Sequence, residues 1–578
     1  MTQNITIASN ATTAKLHDAS REVKLQVQTI LSYAVEGAEH AIAFKRGSWD
    51  GRSSFMDFRA GTFPAGFVQF VSAHLRKLGY KVNHVRRPLP APLGPENPVV
   101  DAFLDDPRYD YQMEVVRCLA KHGQIIARIA TGGGKSRIAR LAFARFNMPT
   151  LFLTTRGLLM YQMRDTFEKD LGIKVSVLGD GQFGHTVIEN GIERQAVKKM
   201  SVGMVQTLIA RLEEKTVESE MERMTDSMLK KEIKESNAYA KKLEAAGHTF
   251  IEIKKFVASF EKKQEAGRVS EKLMRATAAA KVTAHMQDRQ KTINLLGTFG
   301  LVILEEAHEA SGNSYYEILR HCKNAYYRLA LTATPFMKDS EESNMRLMAC
   351  SGPIGISVSE ETLIDRGILA QPHFKIVELR HKPAKLMRNT GWQSAYRIGI
   401  TDNEYRNKII VDECNAAASY HMSTMVLIQQ TKHGETLLQK MTDAGLRVAF
   451  IQGEDDQAGR KQALSQLAKG EIDVLIGSTI LDVGVDVPAV GVVIIAGGGK
   501  AEVALRQRIG RGLREKKSGP NIALIIDFAD GFNEHLKGHA MQRLAIIKAT
   551  PGFDRYIHER GAGFDYEALG CKKLSIAA

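Results

Sequence analysis

The stretch TGGGKS, Thr131 to Ser136, is the part of this chain best equipped for chemistry. A β-prone run, Gln124 to Ile129, leads into it, and a helical pattern follows from Ser136. Gly132, Gly133 and Gly134 have no side chains, so their amides can ring a phosphate chain, and the helix adds the positive end of its dipole. Lys135 then reaches the outer phosphates of a nucleoside triphosphate, and the Ser136 hydroxyl becomes a ligand for Mg2+. Ala130 stands where the long phosphate-loop pattern has its first glycine, whereas the shorter TGxGK[ST] form is met in full.

Two adjacent carboxylates, Glu305 and Glu306, end the apolar run Leu301 to Leu304. Beside a phosphate loop, a second acidic strand end completes the metal shell. Glu305 takes the metal side, and Glu306 orients and deprotonates the attacking water. Glutamate reaches about 1.5 Å further than aspartate, which Mg2+ accommodates by shedding an outer-shell water or by a strand set slightly back. The competing reading is a solvated acidic strand end. Arg511 and Arg514 are three residues apart, so on a helix they share a face. Their guanidinium groups are permanently charged forks matched to phosphate oxygens. Offered across a cleft, they would stabilise charge on a transferring phosphoryl group.

Positioning these groups takes two sheets. QIIARIA, TLFLTT, SVGMVQ, LVILEE and RLALTAT alternate with helical segments, and TMVLIQQ, RVAFIQG, VLIGST, VGVVIIAG and ALIIDF form a second set. That rhythm predicts an α/β chain with two parallel sheets in series. The division read from it is 1–87 (N-terminal accessory domain), 88–100 (linker), 101–360 (first sheet domain), 361–530 (second) and 531–578 (helical extension). The linker overlaps RRPLPAPLGPENP, residues 86–98, which holds five of the fifteen prolines and reads as a stiff spacer. In the N-terminal module a helix is expected over 65–78, with Phe67, Val68, Val71, Leu75 and Leu78 on one face and Gly79 as its stop. Lys45, Arg46, Arg52, Arg76, Lys77, Arg86 and Arg87 surround it.

A stretch of about 211–296 breaks the rhythm, being rich in Lys, Glu, Ala and Met and free of proline. Gly247 reads as a helix stop, Thr249 with Glu252 as a capping box, and Gly267 as a second break. Two or three long helices folded into an arm are expected, serving either as a solvated spacer or as a clamp or docking arm. The chain's 578 residues are too many for one core, and a net charge of +14 suits a polyanion partner as well as it suits solubility. Five dispersed cysteines without a CxxC pair argue against a zinc ribbon and fit a reducing cytoplasm. No leader-like N-terminus and no bilayer-length apolar run are evident, so a cytoplasmic location is expected.

TGGGKS, EEAH and TAT occur in that order, and they resemble motifs I, II and III of the superfamily 2 helicases. Tyr111 and Gln112 stand where that family's adenine-reading Q motif stands. LFLTTRGLLMYQ, with Thr154 and Arg156, resembles motif Ia, although proline is common at the Thr154 position. SVGMVQTL, with Gln206 and Thr207, resembles the segment that touches the nucleic-acid backbone. DVLIGSTILDVGVDVP resembles motif V, with Ser478 for the usual threonine, then Gly484 and Asp486. QRIGRGLR resembles motif VI, giving Gln507, Gly510, Arg511 and Arg514. FKRGSWDGRSSFMDFRAGTFPAGFVQFV resembles the N-terminal domain of the phage UvsW helicases, and DFADGFNEHLKGHAMQRLAI, with His539 and Arg543, resembles that group's ending.

The resemblance implies two tandem RecA-like domains, with a small α+β N-terminal domain and a helical insertion in the first of them. It implies ATP and Mg2+ as cofactors and DNA as partner. The implied activity is the remodelling of branched DNA in a phage-infected bacterial cell by unwinding, annealing, branch migration and fork regression. In that reading His308, Thr332 and Thr334 couple the nucleotide to the strand. Lys45, Arg46 and Arg52 hold phosphates, and Trp49 packs its turn or stacks on an end base. Two other readings stay open: an RNA helicase with a similar core, and a nucleotide-gated DNA clamp whose hydrolysis is impaired by Glu305.

Overall fold

Short β-branched runs between amphipathic helices build three sheets in chain order. The structure, a computed structural model, describes residues 4–101, 106–189, 192–308, 313–336, 340–452, 457–477, 490–499, 505, 509–510, 512–516, 519–559 and 561–573, with no side chains for 185–195 and 457. Among them the N-terminal module contains β1 (Asn4–Ser9), β2 (Thr13–His17), β3 (Ser32–Ala34), β4 (Arg52–Ser54), β5 (Thr62–Pro64) and β6 (Lys81–Arg86). Its sheet runs β5-β2-β1-β6, with β1 and β6 parallel, and β3 pairs with β4 as a separate hairpin.

The first large sheet draws on β7 (Gln124–Ile129), β8 (Thr150–Thr154), β9 (Val175–Gly179), β10 (Gln182–Phe183), β13 (Met200–Met204), β14 (Leu301–Glu305), β15 (Tyr327–Thr332) and β16 (Ile354–Val358). Its order is β10-β9-β13-β8-β14-β15-β7-β16, parallel except at β10, while β11 (His185–Glu189) and β12 (Ile192–Ala196) make a hairpin beside it. The second large sheet is β17-β22-β21-β18-β20-β19 and wholly parallel. Its strands are β17 (Gln371–Val377), β18 (Thr424–Leu427), β19 (Val448–Ile451), β20 (Val474–Gly477), β21 (Val492–Ile495) and β22 (Ile522–Phe528). Every residue of β14 and of β22 is buried, as parallel strands covered by helices on both faces require. These are two tandem RecA-like lobes of the α/β class.

The arm consists of three helices, Val217–Ala245, Phe250–Ala266 and Glu271–Leu296, inserted between β13 and β14. Its expected breaks are where the sequence put them. Gly247 has φ +84°, and Thr249 and Glu252 form a reciprocal capping box. Gly267 closes the second helix. An ion pair of Arg268 with Glu232 (2.7 Å) and stacking of Tyr239 on Phe260 tie the second helix to the first.

Two local expectations are corrected. The helix of the N-terminal module spans Val68–Lys77 behind a 3-10 turn at Ala65–Phe67, and Leu78 is its exposed C-cap rather than part of the buried face. The proline-rich segment is no free spacer. Leu93 and Gly94 donate amide hydrogens to Phe146 and Arg145 carbonyls, and Tyr327 Oη donates to Pro90 O at 2.6 Å. The segment is thus strapped along the first lobe, and a Cβ on Gly94 would collide with Ala144 O.

Beneath the second lobe lies a buried ionic network. Arg406 pairs with Asp530 at 3.0 Å, both at 2% exposure or less, and Arg543 pairs with Asp527 at 2.8 Å. Their remaining donors hold the carbonyls of Ala496 and Gly499, while Tyr396 Oη holds that of Gly497. The glycine loop after β21 is therefore anchored from below by three side chains. His433 is packed against this network and bonds Asn407 Oδ1 through Nε2 at 2.9 Å. Burial and the nearby Arg406 charge lower its pKa to about 3. An unfolded histidine takes up its proton near pH 6.5 while this one stays neutral, so the unfolded state binds more protons between those values. Stability of the second lobe should therefore fall by about 1.4 kcal/mol per unit as pH drops from about 6.5 toward 3. Urea unfolding followed by Trp392 fluorescence in a Trp49→Phe background should show this slope, and His433→Gln should flatten it.

Candidate active site

Parallel strands put their carboxyl ends on one edge, and in open α/β sheets that edge is where ligands bind. The edge of the first sheet collects the phosphate-loop residues after β7, Thr154 and Arg156 after β8, and Gln206 and Thr207 after β13. It also carries Glu305 and Glu306 at the end of β14 and Thr332 at the end of β15.

The loop itself needs its glycines. Gly132 and Gly134 have φ of +88° and +77°, a region L side chains rarely enter. A Cβ on Gly134 would also strike Gln112 Nε2, and one on Gly132 would come within 2.6 Å of Leu369 Cδ2. The Gly133 carbonyl is pinned by two donors, Tyr111 Oη at 2.6 Å and Gln112 Nε2 at 3.1 Å. Gln112 is 1% exposed, and its Oε1 accepts from Arg137, which is itself held by Asp101 at 2.7 Å. Tyr111 and Gln112 thus brace the loop from behind. In this arrangement the Gln112 amide is engaged with protein, not turned outward toward a base.

Burial dominates at the carboxylate pair. Glu305 is enclosed, its Oε2 has no hydrogen-bond partner, and its pKa is pushed up to about 8 by burial first and the Glu306 charge second, with Lys135 opposing. A buried, unsatisfied carboxylate oxygen facing a lysine is a cost unless a cation completes it. That environment fits a Mg2+ shell shared with the Ser136 hydroxyl. Glu306 differs: it is half-buried with φ +45°, a left-handed conformation costing about 1 kcal/mol or more in a non-glycine residue. The bend carries its carboxylate to His308 Nδ1 at 3.4 Å. His308 Nδ1 also lies 3.3 Å from Thr332 Oγ1, which accepts from the Thr334 amide at 3.1 Å. A continuous polar chain therefore joins Glu306 to the end of β15.

The second lobe closes on this edge. A Cβ on Gly510 would come within 2.6 Å of Thr131 Cγ2. Arg514 bridges Leu369 through backbone, Leu513 O accepts from the Ala370 amide at 2.7 Å, and Glu515 pairs with Arg108 at 3.0 Å. The hinge helix Glu360–Asp365 leads to Arg366, which contacts Asp110 and sits 5.5 Å over the Tyr111 ring. Ser478, Gly484, Asp486, Gln507 and Arg511 lie outside the described residues.

The nucleic-acid candidates divide. Gln206 is exposed, Thr207 and Arg156 are half-buried, and Lys45 and Arg46 are exposed on the N-terminal module. Thr154 is buried, with its hydroxyl accepting from the Arg156 amide at 3.3 Å. Arg52 donates to Ser32 O and pairs with Glu341 of the first lobe at 3.1 Å, so it ties module to lobe. Trp49 packs its turn, donating Nε1 to Arg52 O at 2.6 Å. Sequence reasoning missed Arg137, Arg366 and Arg108; Arg137 and Arg366 meet the Tyr111 segment only in the fold, so the sequence carried no signal for them.

Comparison with known proteins agrees with this geometry. Residues 106–337 match the family model of the type III restriction enzyme res subunit, and residues 406–516 match that of the helicase conserved C-terminal domain. Together these define a two-lobed nucleotide-dependent helicase core. Residues 9–84 match the model of the DNA helicase UvsW N-terminal domain. The chain belongs to the superfamily 2 helicases, in the branch that carries a UvsW-type N-terminal domain. It is 24% identical over 250 residues to the DNA 3'-5' translocase XPB2 of Sulfurisphaera tokodaii, covering 38% of this chain and 56% of that protein. It is 31% identical over 133 residues to UvrABC system protein B of Anaplasma phagocytophilum, covering 22% of this chain and 20% of that protein. The chain spans 42%, 39% and 34% of the lengths of the first three curated relatives it matches, so similarity stops at the shared core. The crystal structure of bacteriophage T4 UvsW aligns with 96% of this chain and 99% of its own at 16% identity, with a TM-score of 0.38.

Thr332→Val keeps the shape of the side chain and removes the hydroxyl that joins His308 to β15. Nucleotide affinity, read with a fluorescent ATP analogue, should stay within about twofold, while polynucleotide stimulation of phosphate release should fall about tenfold or more.

Proposed function

We propose that this chain is an ATP-dependent DNA helicase or translocase that remodels branched or duplex DNA. The observation that carries the reading is the close approach of Gly510 of the second lobe to Thr131 of the phosphate loop, with Glu515 paired to Arg108 beside it. A triphosphate lodged there would be contacted from both lobes. In this reading Lys135 binds the β and γ phosphate oxygens, and Thr131 and the Gly132–Gly134 amides orient the phosphate chain. Tyr111 and Gln112 hold that loop from behind. Ser136 and Glu305 hold Mg2+, which when bound neutralises charge on the phosphate oxygens. Glu306 takes the proton of the attacking water, and Arg511 and Arg514 stabilise the charge that develops on the transferring group. Gln507, Gly484 and Asp486 complete the nucleotide edge of the second lobe.

Coupling runs through His308, Thr332 and Thr334. Arg156, Gln206, Thr207 and Ser478 line the track for one strand, with Thr154 fixing the Arg156 turn behind them and Lys45 and Arg46 reaching duplex phosphates. DNA is favoured over RNA because the 9–84 match is to a DNA helicase domain, and the relative XPB2 is described as a DNA translocase. One observation supports a second reading, a nucleotide-gated clamp with slow hydrolysis: the Glu305 carboxyl is held up at about pH 8 by burial.

Phosphate release measured against single-stranded, duplex, forked and four-way DNA and structured RNA tests the proposal. Forked or four-way DNA should stimulate most, and an RNA-only response would refute it. Lys135→Ala should abolish turnover, whereas Glu306→Gln should bind ATP and hydrolyse it about 100-fold more slowly or worse. Arg511→Ala should slow hydrolysis by about 1,000-fold while leaving DNA affinity largely intact.

A further inference from the structure

On the opposite edge of the first sheet, away from the carboxyl ends just described, a cleft of ≈ 420 Å³ opens between the N-terminal module and the first lobe. Its lobe wall is built from the starts of strands, Gln124 on β7 and Gly352-Pro353 ahead of β16, together with His122. Its module wall carries Ser72 and Arg76 from the helix Val68–Lys77, and His84 and Arg86 from β6. No aspartate or glutamate is among its described lining residues.

Two side chains face this cleft with unmet needs. Ser72 is 4% exposed, and its hydroxyl has no hydrogen-bond partner. Gln124 spends its Nε2 on Ala11 O at 2.8 Å, which fixes the amide and leaves a buried Oε1 without a donor. An orphaned buried hydroxyl or carbonyl costs about 1–3 kcal/mol. The cations here are positioned by protein carbonyls rather than neutralised by acids. Arg86 Nη1 donates to His122 O at 3.2 Å and Arg76 Nη2 to Val82 O at 3.3 Å, leaving their other guanidinium donors free for a ligand. His84 bonds Ser9 Oγ at 2.7 Å. Burial first, and then the charges of Arg86 and Arg76, lower the pKa of His84.

We infer that this cleft is a second phosphate site, distinct from the phosphate loop, which takes the phosphoryl group of a small hydroxyl-bearing ester such as a mononucleotide. Arg76 and Arg86 supply paired charge-assisted donors to the phosphoryl oxygens. Ser72 donates its hydroxyl hydrogen, and Gln124 Oε1 accepts from a sugar hydroxyl. The same phosphoryl chemistry could come from a DNA backbone, but an internal deoxyribose offers no hydroxyl for Gln124, which favours the free ester. The cleft's volume is within the usual range for small-molecule pockets.

The test uses the full chain with Lys135→Ala, so that the phosphate loop does not contribute, and titrates AMP and inorganic phosphate by calorimetry. Saturable binding is expected for both, with AMP tighter. Adding Arg76→Gln and Arg86→Gln should weaken it by about tenfold or more, and Ser72→Ala should weaken it about threefold while raising the unfolding midpoint of the ligand-free chain. DNA-stimulated phosphate release should stay normal when the arginine changes are made in the otherwise native chain. Competition with a short blunt duplex lacking terminal phosphates separates the sources: failure to displace AMP supports the free ester, and displacement assigns the phosphoryl group to DNA backbone. The inference is overturned if Lys135→Ala binds neither probe, or if the paired arginine changes leave AMP affinity as it was.

Discussion

The carbonyl of Gly133 is the point on which the site depends. A loop of three glycines has little reason of its own to hold one shape, because glycine surrenders more backbone freedom on ordering than any other residue. Here Tyr111 and Gln112 grip one carbonyl, and the glycines on either side of it take left-handed conformations that other residues rarely enter. The same Tyr111 ring lies under the hinge cation Arg366. One side chain thus touches both the phosphate loop and the segment that leads into the second lobe.

The carboxylates divide their work by environment rather than by residue type. Glu305 and Glu306 are chemically identical neighbours, but one is sealed in and left without a partner while the other is bent toward His308 and partly open to water. A single left-handed residue makes that split, since an extended continuation of β14 would point the two side chains to opposite faces of the sheet. The bend also brings Glu306 within reach of the chain that runs to Thr332.

Signals confined to a few neighbouring residues were legible in the sequence; those that depend on remote partners were not. The capping box at Thr249 and Glu252, the stop at Gly247 and the β–loop–helix around Lys135 need only local geometry, and all are present. Strand order, by contrast, places Thr332 between the phosphate loop and Glu305 only after the chain has folded. The proline-rich segment reads as a spacer because its carbonyl partners on Phe146, Arg145 and Tyr327 are distant in sequence. Arg52 reads as a phosphate contact because Glu341 lies 289 positions away. Arg328 is the extreme case: a buried guanidinium satisfied by the carbonyls of Leu319, Cys322, Ala325 and Cys350, with no charged partner to betray it. Leu78 failed for a different reason, since an apolar residue at the right period falls off the helix once the chain turns at Gly79.

Gly66 gives the N-terminal module its mounting. Any side chain there would run into the carbonyls of Met348 and Ala349, so the module's entry helix rests backbone to backbone on the end of helix Glu341–Ser351. Apolar contact with Met345 and Ala349 continues the same seat. A joint this intimate has no slack, which makes the module a fixed outrigger of the first lobe rather than a tethered passenger. If the chain works as proposed, duplex held by the outrigger would share the first lobe's frame of reference, and displacement of the second lobe would be delivered as strain on the polynucleotide instead of being absorbed at the mounting.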